Sequence, residues 1–189
     1  MSKMGGVMAM AMITVACNSK PAEDVAAQAP PAFTPQVHAN LAQMMRGIPF
    51  TFSNIVFDAQ SEDPGAPKKP AEVGAGATDT FRNVYGGWQE VENSALALSE
   101  SATLMMMPGR KCENGKPVPI NDEEYRKGAE SLVAAGRAAY KAAQTRSLEA
   151  IVEVSDTVAV SCANCHEPYR DVENPADRCT SKIAAKLAE

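Results

Sequence analysis

The chain has no run of lysines or arginines; its 18 basic residues are outnumbered by 23 acidic ones, for a net charge of −5. That balance lacks the electrostatic footprint of a nucleic-acid binder and suits a basic protein partner instead. No segment alternates apolar and polar residues with period two, so strands are not expected. Histidine is scarce, with only His38 and His166 present. No nucleophile stands beside an ordered general base, so hydrolytic catalysis is not expected and the chain reads as a non-enzyme. The composition, 45% hydrophobic and 22% charged, is that of one soluble domain with a single core.

At the N-terminus Lys3 precedes an apolar and small stretch from Gly5 to Ala16, which reads as a secretory signal over residues 1–16 rather than a spanning helix. Export to the periplasm is expected. The stretch ends in Thr14-Val15-Ala16-Cys17, similar to a lipobox, in which Cys17 would be lipidated, become the first mature residue and anchor the protein to a membrane. Thr14 stands where bacterial lipoproteins usually carry Leu. Ordinary cleavage after Ala16 is the alternative, but it leaves Cys17 as an odd exposed thiol, so lipidation is favoured. Residues 17–35, with four prolines from Pro21 to Pro35, read as an extended tether.

The remainder, 36–189, shows four amphipathic helical patterns separated by breakers, which predicts an all-α, four-helix bundle. The first runs from about Gln36 to Phe57, with Leu41, Met45, Ile48, Phe52 and Ile55 on one face. Pro49 removes the N–H that would bond the carbonyl of Met45, so a kink is expected there. Residues 58–78 form a long loop. The second helix, about Phe81 to Met107, carries Val84, Trp88, Val91, Ala95, Leu98, Ala102 and Met105 as a stripe. Gly86 and Gly87 weaken its start, and Pro108 and Gly109 end it. Asn121 or Asp122 caps the third, whose inner face is Tyr125, Ala129, Leu132, Gly136, Ala139 and Ala143. The fourth has Leu148, Ile151, Ser155, Val158, Cys162, Cys165 and Tyr169 on one side, with a kink or stop expected at Pro168. One or two further helical turns are expected over Thr180 to Leu187.

On that fourth helix stands Cys162-Ala163-Asn164-Cys165-His166, the spacing by which a polypeptide attaches haem c: two thiols add to two vinyl groups and the adjacent imidazole binds the iron. At offsets of three and four the three side chains leave one side of a helix and can meet one haem. Other readings of Cys-x-x-Cys fit less well. A thioredoxin-type centre opens a helix, where its thiolate is stabilised, whereas this pair comes late in one. Structural zinc needs four ligands, and only His38, Cys112 and Cys179 remain. Those two cysteines are expected to pair as a disulfide in an oxidising compartment, the alternative being two thiols too far apart to bond.

The run Cys162 to Arg170, Cys-Ala-Asn-Cys-His-Glu-Pro-Tyr-Arg near the C-terminus of a four-helix chain, resembles the class II cytochromes c, the cytochrome c-prime and c-556 family. Met45-Arg46 in the first helix and Trp88 near the start of the second are also similar, so the likeness spans about Leu41 to Arg170. The resemblance implies one covalent haem c with His166 as the axial ligand and the first helix as the opposite wall. Met45 is then the candidate second axial ligand, as in the c-556 branch, or else the position is open to small gases, as in the c-prime branch. His38 and Met44 are lesser candidates, and Met45 also fits as ordinary core filler. Arg170 is similar to a family arginine near the haem that could neutralise a propionate. Tyr169 and Trp88 are expected to pack against the porphyrin edge or the core.

These readings converge on an exported monohaem electron carrier that exchanges electrons with a redox protein donor and acceptor. A homodimer is one arrangement the family allows. Two alternatives stay open: a five-coordinate gas-binding haem protein, and a haem-free structural lipoprotein in which Cys162 and Cys165 form a disulfide.

Overall fold

The computed structural model describes residues 34–67 and 86–180. The signal segment, the lipobox with Cys17, the tether up to residue 33, the stretch 68–85 with Val84, and the expected tail helix from residue 181 lie outside the described residues. The chain divides after Pro35 into two units, and the second, Gln36–Glu189, carries all the described helices.

These are α1 Leu41–Gly47, α2 Pro49–Asp58, α3 Trp88–Met105, α4 Glu123–Gln144 and α5 Leu148–Tyr169, followed by a 3-10 turn at Pro175–Asp177. Among the described residues there is no strand, only an isolated antiparallel bridge between Lys111 and Pro117.

The first helical pattern is broken in two rather than merely kinked. A capping box starts α1, with the Asn40 side chain accepting from Gln43 N at 2.8 Å and the Gln43 side chain accepting from Asn40 N at 3.0 Å. Ile48 then leaves helical geometry at φ −123° and ψ −75°, and Pro49 opens α2. The cause is local. The proline ring crowds the Met45 carbonyl and offers it no donor, while Ile48 N still donates to Met44 O at 2.9 Å and Phe52 N to Ile48 O at 3.1 Å.

The buried face differs by one residue from the expected stripe. Met44, Pro49, Ser53 and Val56 are buried, whereas Leu41, Met45, Ile48, Phe52 and Ile55 are half-buried. Leu41 and Met45 are half-buried because they line a partly open cavity.

Elsewhere the periodicity holds. Helix α3 begins at Trp88, after Gly87 at φ +72°, and buries Val91, Ala95, Leu98, Ala102 and Met105. Asp122 caps α4 by accepting from Glu124 N at 3.0 Å, and the whole expected inner face from Tyr125 to Ala143 is buried. Ser147 caps α5 by accepting from Ala150 N at 3.3 Å. Pro168 lies inside α5, which stops one residue later, where Arg170 N and Asp171 N both donate to His166 O. At the other end Leu148 is exposed, because it is the first residue of the helix.

Helix α2 packs on α3, α3 on α4 and α4 on α5, and α2 returns to α5, which closes the ring. Directions follow from one end of the bundle. The C-terminal residue Met105 of α3, Tyr125 near the start of α4, the last turns of α5 and the first residue of α1 all line one cavity. Successive helices therefore alternate, up-down-up-down, with α1 and α2 acting as one. The short link 145–147 requires this between α4 and α5.

Small residues set how closely the helices approach. A Cβ on Gly136 would lie 2.7 Å from Ala95 O and 2.6 Å from Ser99 Oγ, so the α3 and α4 backbones are nearly in contact there. Ser99 Oγ spans the gap and donates to Val133 O at 3.0 Å. Nearly all the ion pairs among the described residues have both side chains well exposed, and solvent screening leaves such pairs little effect on stability. The apolar core, at about 1.5–3 kcal/mol per large side chain, dominates.

Candidate functional site

The α3–α4 connection builds one side of the site. Arg110, buried despite its charge, donates from Nε to Leu104 O at 3.0 Å and from Nη1 to Ala39 O at 2.6 Å. It satisfies a carbonyl near the end of α3 and holds the chain entering α1. Leu41 N donates to Lys111 O at 2.8 Å. The next residue, Cys112, is joined to Cys179 by a disulfide. Asn114 Nδ2 donates to Ala176 O at 3.1 Å and to Arg178 O at 3.0 Å, and Cys179 N donates to Tyr169 O at 2.9 Å. The loop after α3 and the segment after α5 are thus one covalently closed clasp.

This clasp, α1–α2, the start of α4 and the end of α5 line a partly open cavity of about 330 Å³, within the roughly 300–1,000 Å³ typical of cofactor and ligand pockets. Cys162, Cys165 and His166 line it from α5, and Leu41, Met45 and Pro49 from the first helical pair. Tyr125, Gly128 and Leu132 contribute from α4, and Met105 from α3. The two sides of the bundle thus present to one apolar space the residues that the sequence singled out separately.

Cys162 and Cys165 are free thiols in the last third of the 22-residue α5. Burial pushes the Cys162 thiol up, and burial with the nearby Cys162 and Glu124 pushes Cys165 up to about 11. A thioredoxin-type pair needs the opposite shift. In haem-free protein, iodoacetamide at pH 8 is therefore expected to label Cys165 very slowly, the thiolate being about one part in a thousand, and to accelerate towards pH 11. Rapid labelling near neutral pH would return the pair to the redox class. Among the described residues no three or more His, Cys, Asp or Glu side chains gather as a metal-ion site, which leaves the zinc reading without its ligands.

The imidazole of His166 is half-buried. Burial and then the Arg170 guanidinium lower its pKa, with Asp171 opposing, so the ring is neutral at pH 7 and keeps the lone pair that a metal ligand requires. Cys165 packs tightly: a Cβ on Gly128 would collide with its Sγ, so any larger residue there would force the thiol to turn away.

The other expected site residues divide. Tyr169 is buried on the cavity wall, edge-on to Tyr125 with ring centroids 5.3 Å apart. Arg170 reaches the rim but is already paired, its Nε and Nη2 donating to Asp171 Oδ1 and Oδ2 at 2.6 and 2.9 Å. Met44 is only 5% exposed and belongs to the core, not the cavity. His38 is exposed ahead of α1 and does not line the cavity. Trp88 is not brought there either: it sits at the far end of α3, about 25 Å along the axis from Met105. There it packs against Gly65, with Arg146 5.9 Å above its ring.

Sequence reasoning did not find the second half of the rim, where Glu113 Oε1 lies 3.5 Å from Arg46 Nη2 and its Oε2 3.7 Å from Arg178 Nη1. It also missed that the disulfide cysteines form cavity wall. Gly128 had a detectable signal, a glycine three residues after Tyr125 on an otherwise strong helix face. Comparison of the chain with protein-family models, with curated proteins and with solved structures finds no match.

Proposed function

We propose that the chain is a monohaem c-type cytochrome of the class II kind, exported to the periplasm and held to a membrane through a lipidated Cys17, where it passes single electrons between redox proteins. The observation that carries this reading is convergence. Two thiols and a neutral imidazole from α5 face Met45 from α1 across one apolar cavity of about 330 Å³. Cys162 and Cys165 would hold the tetrapyrrole covalently, and His166 would bind its iron. Leu41, Pro49, Leu132 and Met105 give the cavity an apolar lining, and Arg46, Arg170 and Arg178 stand at its rim in ion pairs with Glu113 and Asp171. Bound, the haem supplies a one-electron iron couple, whose potential a thioether from Met45 would raise. The free state of Cys162 and Cys165 weighs against the haem-free disulfide alternative. The mass of the mature N-terminus tests the lipid on Cys17.

The test is the visible spectrum of the oxidised and reduced protein. A low-spin species with a sulfur-to-iron charge-transfer band is expected, lost in Met45→Ala and kept in Met44→Ala. The second substitution should instead cost about 2–5 kcal/mol of stability, because Met44 fills the core. The break at Ile48–Pro49, beside Met45, favours one further reading. If it holds the thioether away from the iron, the protein is high-spin, binds CO readily and is a gas binder rather than a carrier.

A further inference from the structure

The clasp is joined to α1 in two ways, one firm and one loose. At the start of α1 the tie runs through backbone groups: Leu41 N donates to Lys111 O at 2.8 Å, and the buried Arg110 donates from Nη1 to Ala39 O at 2.6 Å. Five residues further on, about 7.5 Å along the axis, the tie is a side-chain ion pair. Arg46, in the last turn of α1, brings Nη2 to 3.5 Å from Glu113 Oε1, and Glu113 Oε2 lies 3.7 Å from Arg178 Nη1. Glu113 follows Cys112 and Arg178 precedes Cys179, so both belong to the clasp. Both contacts are longer than the roughly 2.7–2.9 Å of a strong charge-assisted bond. Arg170 and Asp171 pair tightly, at 2.6 and 2.9 Å, but they are neighbours in sequence and span nothing.

The lining residues that are themselves exposed are Arg46, Phe50, Glu113 and Arg170. The cavity therefore opens among them, with α1–α2 on one side and the clasp and the end of α5 on the other. The Glu113 side chain crosses from one side to the other. We infer that Glu113, paired with Arg46, is the latch on the entrance to the haem iron: the closed pair narrows the opening and the parted pair widens it. The inference rests on the haem reading. A latch differs from a binding contact in its kinetics. It changes entry and exit of a small ligand by one factor and leaves the affinity alone, whereas a group that touches the bound ligand changes their ratio. An exposed pair of this kind favours its closed form by a factor of only about two to five, and salt screens it.

The experiment measures CO association and dissociation on reduced holoprotein in a Met45→Ala background, where the iron position facing α1 is open on either reading. It is run at low salt and at about 1 M salt, where the screening length falls to about 3 Å. CO is uncharged, so salt acts on the protein and not on steering of the ligand. In the background protein both rates are expected to rise together with salt, by about two- to five-fold. Glu113→Gln and Arg46→Gln should each be that fast at low salt and no faster at high salt, and the two combined no faster than either alone. If either variant matches the background at low salt, or if association changes without an equal change in dissociation, the inference is overturned and the cytochrome reading stands. Absence of covalent haem from the wild type overturns both.

Discussion

Replacing Cys162 and Cys165 together with alanine is expected to abolish covalent haem completely, read as loss of the haem stain that survives denaturing electrophoresis of the wild type. The expectation follows from placement. Both thiols line the same cavity as His166, one helical turn apart on α5, which lets them reach two vinyl groups of one tetrapyrrole. The fold should survive, because alanine at Cys165 relieves the close approach to Gly128 rather than adding to it. Unchanged helical circular dichroism would separate loss of attachment from loss of structure. Wild-type protein from a host able to mature c-type cytochromes that took no stain would end the proposal.

Breaking the Cys112–Cys179 bridge should have the largest effect on stability. The two residues are 67 apart, and closing a loop of that length removes denatured-state entropy corresponding to about 4 kcal/mol. For a domain of this size that predicts a fall in Tm of roughly 8–16 °C. The Cys112→Ala and Cys179→Ala double variant should show it, and wild type in excess reductant should unfold at the same midpoint. The exposed ion pairs of the clasp, at roughly 0–1 kcal/mol each, cannot compensate. Limited proteolysis should then cut between residues 170 and 180, since the bridge and the Asn114 bonds hold that segment to the loop after α3. Equal stability with and without the bridge would show that the hydrogen bonds alone maintain the clasp.

Helix content was legible where packing is two-sided and regular. The stripes of α3 and α4 and the cap at Asp122 follow from periodicity and local hydrogen bonding. The first helix misled because it has two apolar duties, with Met44 and Val56 filling the core while Leu41 and Met45 face a cavity. A hydrophobicity pattern cannot tell an apolar wall from an apolar core. Trp88 took the second of its two expected places, against the core and not at the site. Its position in the chain suggested the site, but direction along the bundle decides which end a residue serves, and the site lies at the other end of α3.

By itself the sequence determined the all-helical class and the cysteine pair one helical turn apart with its adjacent imidazole, and it left Cys112 and Cys179 as the two candidates for a bond that the structure then shows. Each of these depends on spacing along one chain or on counting, and covalent geometry carries both directly. Only the tertiary structure decided that Met45 and not Met44 faces the cavity, and that the Cys112–Cys179 bridge is part of its wall. Those outcomes depend on how alternating helices meet at one end of the bundle, where a rotation of about 100° between adjacent residues separates core from cavity.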